Sequence, residues 1–222
     1  MKSILFFIVL LLNAPLVSAQ KYNLELKGEY EKWATENHTS FRENSTGVLG
    51  GIGLGYYGDE YFVGGGYILG DYQFDSDSTK SLQRMDIDLV IGKKIDQQWS
   101  VFTGYRFNQF SYEKSDEPSA ARKENTLGLG LGASFTVPFT PRWYTFITGV
   151  VSGIYAYNNF DETAKGYSLG LEGGVLFVVN AKTTLAMRIK TQGTSLAYDD
   201  TVQARDWNHS YVRAGVSLGY AF

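Results

Sequence analysis

The 222-residue chain contains no cysteine, only 4 prolines and only 2 histidines, His38 and His209. Without cysteine there is no disulfide framework and no thiolate metal site. Neither histidine belongs to a ligand cluster and no EF-hand spacing occurs, so no metal and no cofactor are expected. Neither charge sign is in excess either. With 20 basic and 23 acidic residues the net charge is -3, and no basic footprint for nucleic acid is present. Beyond the first residues, polar side chains interrupt every apolar run, so none approaches the roughly 20 residues that a membrane-crossing helix needs.

What the chain does have is 25 glycines, 16 tyrosines, 14 phenylalanines and 4 tryptophans, a composition of many strands and tight turns in a length that suits one domain. It opens on MKSILFFIVLLLNAPLVSAQ: one lysine, an apolar run from Ile4 to Leu12, then small residues at Ser18 and Ala19. Residues 1–19 read as a secretory signal peptide, and residues 20–222 as the exported domain.

That domain alternates with a period of two. In GVLGGIGLGYY, Val48, Ile52, Leu54 and Tyr56 share one face, with Gly51, Gly53 and Gly55 on the other. LQRMDIDLVIG, NTLGLGLGASFTV and YSLGLEGGVLFV repeat the pattern. Such alternation over about ten residues is a strand with one apolar face. The opposite face carries glycine, hydroxyls and charge, which fits a cramped interior better than a solvated exterior. The apolar face then meets lipid, as in a membrane barrel. The runs YFVGGGYILG and WYTFITGVVSGIYAY are apolar on both faces and leave the register open.

Four short breaks, at 57–60, 93–97, 139–142 and 180–182, alternate with five longer polar stretches, from TENHTSFRENST to TQGTSLAYDDTVQARDW. The plan is an all-β, closed antiparallel transmembrane β-barrel of ten strands, with eight as the alternative count. Aromatic residues gather at the strand ends and are expected in two interfacial belts. Tyr22, Tyr56, Trp99, Phe139, Trp143 and Phe222 lie near the short turns; Tyr30, Trp33, Tyr72, Phe107, Tyr112, Tyr155 and Tyr157 lie near the long loops.

The final stretch, RAGVSLGYAF, sets Val216, Leu218, Tyr220 and the terminal Phe222 on one face. It resembles the terminal signature of Gram-negative outer-membrane β-barrel proteins. The resemblance implies a bacterial outer-membrane location, surroundings of outer-membrane lipid and lipopolysaccharide, and recognition of this strand by the assembly machinery. A final strand that pairs with the first, near Tyr22 to Tyr30, would close the barrel and leave no open edge in lipid.

With the apolar faces outward, the expected lumen carries the acids Glu25, Glu29, Asp86, Asp88 and Glu172 and the bases Lys27, Arg84, Arg106, Arg188, Lys190 and Arg213. Barrels of eight to ten strands hold side chains or one small ligand, whereas open channels take about 16 strands. A lumen plugged by ion pairs and water is therefore expected. The function that follows is a non-enzymatic structural or surface-interaction barrel with exposed loops. A narrow porin-like conduit is one alternative. A barrel hydrolase, either a lipid-modifying enzyme or a protease, is another. Asp86 and Asp88 facing Asp206 and His209 would resemble the water-activating arrangement of omptin-like outer-membrane proteases. Against it, Asp206 and His209 are three apart and point to opposite faces of a strand.

Overall fold

The computed structural model describes residues 21–37, 42–75, 80–114, 122–159, 162–198 and 206–222. The signal-peptide segment and His38 lie outside the described residues.

Ten strands follow in chain order: β1 (Lys21–Asn37), β2 (Arg42–Tyr57), β3 (Tyr61–Phe74), β4 (Lys80–Lys94), β5 (Trp99–Lys114), β6 (Arg122–Pro138), β7 (Trp143–Asn158), β8 (Thr163–Val178), β9 (Thr183–Tyr198) and β10 (Asp206–Ala221). Each pairs antiparallel with its chain neighbours, and β1 pairs with β10, so the sheet is a closed barrel of ten strands rather than eight. At the seam Tyr22 N donates to Phe222 O at 3.3 Å and Phe222 N donates to Tyr22 O at 3.0 Å. Their rings stack with centroids 5.8 Å apart.

The faces are inverted relative to a soluble barrel. Val48, Leu129, Leu169 and Ile189 stand on the outer wall with 63% to 70% of their surface exposed, where a soluble barrel would carry polar groups. An apolar band on a closed antiparallel sheet, over a polar interior, is a transmembrane β-barrel. Near the short turns the band is edged by the ring pairs Trp99–Phe135 and Trp143–Phe177, both at 4.6 Å.

Three of the four short turns share one construction. Ile95 N, Phe139 N and Val179 N donate to the carbonyls of Trp99, Trp143 and Thr183, respectively, at 2.8, 2.8 and 2.9 Å. The second residue of each, Asp96, Thr140 or Asn180, accepts backbone N–H groups two and three positions on. Asp, Asn and Thr do this because a short side-chain oxygen mimics the backbone turn.

The strands run further than the alternation implies. Polar segments read above as loops are strand as far as Asn37, Lys114, Asn158 and Tyr198. The reason is physical: about 9 to 11 tilted residues cross the hydrocarbon, and strands of 14 to 17 residues leave the rest in water. There the outer face is polar, with Lys32, Asp71, Gln83 and Lys165 exposed, so the period of two disappears.

The outer aromatic belt also needs correction. Tyr30, Tyr155 and Tyr157 do face outward, but Trp33 and Tyr72 are 2% and 1% exposed inside the bore. With Leu49, Ile68, Phe74, Leu82 and Tyr211, and with Phe110 and Tyr112 packed against them, they form the core, which fills the long-loop half of the lumen. A smaller cluster of Ile154, Ala156, Ala164 and Leu196 lies in the same half. This also resolves the two ambiguous registers: Phe62, Ile68, Tyr72 and Phe74 turn inward on β3, and Phe146, Val150, Ile154 and Ala156 on β7.

Candidate functional site

Among the described residues, the chemistry-bearing side chains concentrate in the lumen, which divides into tiers. The first tier joins β1, β3, β4, β5 and β10. Arg84 donates from Nη1 to Glu31 Oε1 at 2.5 Å and from Nε to Asp86 Oδ1 at 2.7 Å. Arg213 donates to Glu31 Oε2 at 2.6 Å and to Glu29 Oε2 at 2.8 Å, and its Nη2 reaches Asp86 Oδ2 at 3.3 Å. Asn108 Nδ2 and Tyr72 OH complete the shells of Asp86 and Glu31 at 2.7 and 2.8 Å. Both guanidinium groups lie over the Tyr211 ring, 4.8 and 5.1 Å from its centroid.

Two arginines among three carboxylates, all buried, form a network that is tolerable in a low dielectric only because nearly every charge is met by charge-assisted hydrogen bonds. It also crosses the bore. Arg213 stands on β10 and Asp86 on β4, strands that are not neighbours. Above it, Trp33 of β1 stacks against Phe110 of β5 at 6.0 Å, again across the bore.

A second tier lies at mid-barrel. Arg106 donates to Asp88 Oδ1 and, across the bore, to Gln192 Oε1, both at 2.5 Å, and Tyr211 OH donates to the same Gln192 oxygen at 2.8 Å. The third tier faces the short turns. Arg188 bonds Glu25 and Ser217, and lies 3.6 Å from Glu172, while Lys27 is 3.2 Å from Glu25. Lys190 lines the lumen beside the second tier. All eleven charged residues expected in the lumen are therefore inside it, distributed over these groups.

Glu31, which anchors both arginines, is absent from the expected set. The signal was the alternation of Glu25, Lys27, Glu29, Glu31, Trp33 and Thr35 along β1; assigning Trp33 to an outer belt broke that series one residue too early.

The described members of the hydrolytic quartet, Asp86, Asp88 and His209, are engaged by other partners. The carboxylate of Asp86 is occupied by two guanidinium groups and an amide, and Asp88 by Arg106. His209 is in the outer half, with its Nδ1 sharing a hydrogen bond with Thr35 Oγ1 at 2.9 Å and its ring stacked on Trp33 at 5.4 Å. Its Nε2 stands 3.8 Å from Glu124 Oε1. A hydroxyl, an imidazole and a carboxylate thus lie in line, but Thr35 is only 4% exposed. The side chain of Asp206 lies outside the described residues. Among the described residues no group of three or more His, Cys, Asp or Glu side chains could hold a metal ion.

The inner half of the lumen is open. A cavity of about 740 Å³ extends from mid-barrel to the strand ends at Tyr57, Lys94, Tyr144 and Val178 beside the short turns. The expectation is a lumen largely filled by ion pairs and water; the inner half instead holds open space beside the third tier. Glycine explains the difference. The rings of Phe62, Phe102 and Phe146 occupy the space that a Cβ would take at Gly92, Gly132 and Gly174 on the next strand. Laid flat on the wall, they line the bore without crossing it.

No family model matches the chain, and no curated protein matches it. Solved structures do. The translocator domain of the autotransporter NalP from Neisseria meningitidis superposes with a TM-score of 0.50 at 12% identity, over 100% of this chain and 94% of that one. Neisserial surface protein A superposes with a TM-score of 0.43 at 11% identity, over 87% and 95% of the two chains. The outer membrane protease OmpT from Escherichia coli gives 0.46 at 12% identity, over 95% and 99%. At these identities the likeness is one of fold, that of bacterial outer-membrane β-barrels.

Proposed function

We propose that this chain is a non-enzymatic outer-membrane barrel whose lumen is closed to solutes and whose strand extensions and loops are its working surface. In this reading residues 1–19 are the signal peptide and residues 20–222 the barrel. Outer-membrane lipid and lipopolysaccharide surround it, and the assembly machinery takes hold of β10 through Val216, Leu218, Tyr220 and Phe222.

One observation carries the proposal. The Glu29, Glu31, Arg84, Asp86 and Arg213 network reaches from β10 and β1 to β4, and the aromatic cluster around Trp33 and Tyr72 lies directly on it. A passing solute would have to break several buried charge-assisted hydrogen bonds, each worth about 1.5–3 kcal/mol. The working surface then falls to the outer ends of the strands, since loops on a rigid scaffold are where barrels carry recognition.

Swelling of proteoliposomes in small sugars and amino acids tests the closed lumen. Rates equal to those of protein-free liposomes are expected, and solute-size-dependent swelling would favour the porin-like conduit. Against hydrolysis stand the bonded carboxylates of Asp86 and Asp88 and the burial of Thr35. A peptide and lipid A hydrolysis screen of the purified barrel is expected to give no turnover. Turnover lost in Asp88→Ala or His209→Ala would establish the enzyme reading instead.

A further inference from the structure

The charges that border the open inner half of the lumen are matched. Asp88 holds Arg106 at 2.5 Å, Glu172 lies 3.6 Å from Arg188 and opposite Lys190 in the strand register, and Lys190 is also within electrostatic reach of Asp88. At the mouth, the Lys94 ammonium donates to the carbonyl of Gly58 at 2.8 Å. The cavity therefore holds no surplus of either sign for an ion. What it does hold is a wall, on β5 to β8, that mixes a flat ring face with hydroxyl groups. The Phe102 ring lies over Gly132, in the register row Phe102, Gly132, Val150. Two residues nearer the short turns, Thr148 Oγ1 donates to Ser134 Oγ at 2.8 Å. Two residues deeper, Ser152 and Ser168 stand side by side on neighbouring strands. Tyr57, Tyr144 and Thr136 carry the same mixture of rings and hydroxyls to the mouth. Water alone wets the hydroxyls but gains nothing from the ring between them.

We propose that the inner half of the lumen is a binding site for a small neutral sugar, a pyranose glycoside admitted from the short-turn end. A pyranose has the matching construction, with hydroxyls around its edge and C–H groups on its faces. One face lies on the Phe102 ring, while the hydroxyls at its edge reach Ser134 and Thr148 on one side and Ser152 and Ser168 on the other. Hydroxyls both donate and accept, so each of these contacts can be satisfied in either direction. At the deep end Asp88, Arg106 and Gln192 present further acceptors and donors. An all-equatorial ring, as in a β-glucoside, keeps its faces clear of hydroxyls for the aromatic contact. Neutrality follows from the charge balance, because a carboxylate or ammonium on the ligand brings an unmatched charge into a bore of low dielectric. The volume of about 740 Å³ falls in the range of small-molecule sites. The inference needs the inner cavity and not the closed outer half, so conductance and binding test the two readings separately.

The test is calorimetric titration of methyl β-glucopyranoside into the full barrel in phosphatidylcholine nanodiscs, with empty nanodiscs as the blank. Methyl β-glucuronide, the same ring with a carboxylate at C6, is the charged analogue. Saturable one-to-one binding of the glucoside is expected, with a dissociation constant of about 1 mM or tighter, and at least about tenfold weaker binding of the glucuronide. Phe102→Ala is expected to weaken the glucoside by about three- to tenfold, the usual range for a lost aromatic contact. Val150→Trp, which fills the cavity beside that ring, is expected to abolish binding. Heat-modifiable migration confirms that each variant is folded. No saturable heat above the blank would overturn the proposal, and so would glucuronide binding as tight as that of the glucoside in the unaltered barrel, which needs no variant to fold. Unchanged affinity in either folded variant overturns it as well, because the sugar then sits elsewhere.

Discussion

Glu31 and Arg213 stand directly opposite each other across the seam that closes the barrel, with Arg213 Nε donating to Glu31 Oε2 at 2.6 Å. The pair that fastens the first strand to the last is thus also the centre of the lumen network, because Arg84 and Tyr72 meet the other oxygen of Glu31. Closure of the sheet and closure of the bore share one carboxylate.

Removing that carboxylate leaves two buried guanidinium groups short of charge. Glu31→Ala is expected to cost about 3–5 kcal/mol, as for other buried pairs broken on one side. The loss is read as a shift in the urea midpoint of the barrel in lipid vesicles. Glu31→Leu combined with Arg213→Met is expected to cost less than the sum of the two single changes, because neither charge is then stranded.

The contact of Phe102 with Gly132 makes a second prediction. A side chain at Gly132 meets the Phe102 ring and the carbonyl of Gly149. Gly132→Val is expected to destabilise by about 1–3 kcal/mol, the usual cost of overpacking. Phe102→Ala in the same chain is expected to recover part of the loss. Additive losses in the double variant would show that the ring does not rest on that glycine.

The outer face separates a lipid-facing wall from a water-facing one. Leu129, 67% exposed at the middle of β6, is expected to lose about 2–4 kcal/mol on change to Lys. Gln83, exposed on the outer extension of β4, is expected to tolerate the same change within about 0.5 kcal/mol. Equal tolerance at both sites would contradict the apolar band.

Asp96 gives an acid-sensitive turn. Hydrogen bonds from the backbone N–H groups of Trp99 and Gln98 favour its carboxylate and hold its pKa below the ordinary 3.8. Because the folded value is the lower one, this stabilisation is complete above the ordinary value and disappears as the pH falls through the folded one. Asp96→Ala is expected to reduce stability at pH 7 and to flatten its decline between pH 5 and pH 2, followed by urea midpoints.

How far these features were legible in the sequence depended on which constraint acted on each residue. Across the bilayer, lipid demands an apolar outer face, and the alternation of Leu127, Leu129 and Leu131 with glycine fixes strand, face and count. Beyond the bilayer that demand lapses, so the outer parts of β1 and β9 read as loops. Trp33 and Tyr72 were misplaced for the same reason, since an aromatic residue near a strand end suits either an interfacial belt or a water-excluding core. The charged lumen residues followed from parity alone. Their partners depend on distances between strands that are remote in sequence. The open inner half could not be read, because it rests on rings lying flat over glycines of the neighbouring strand.

Planar-bilayer recording from the purified barrel tests the closed lumen most directly. The unaltered protein is expected to give no stable single-channel steps, whereas Glu31→Ala with Arg213→Ala, if it retains heat-modifiable migration, is expected to give small ones. Stable steps from the unaltered protein would contradict closure by the Glu31 and Arg213 network.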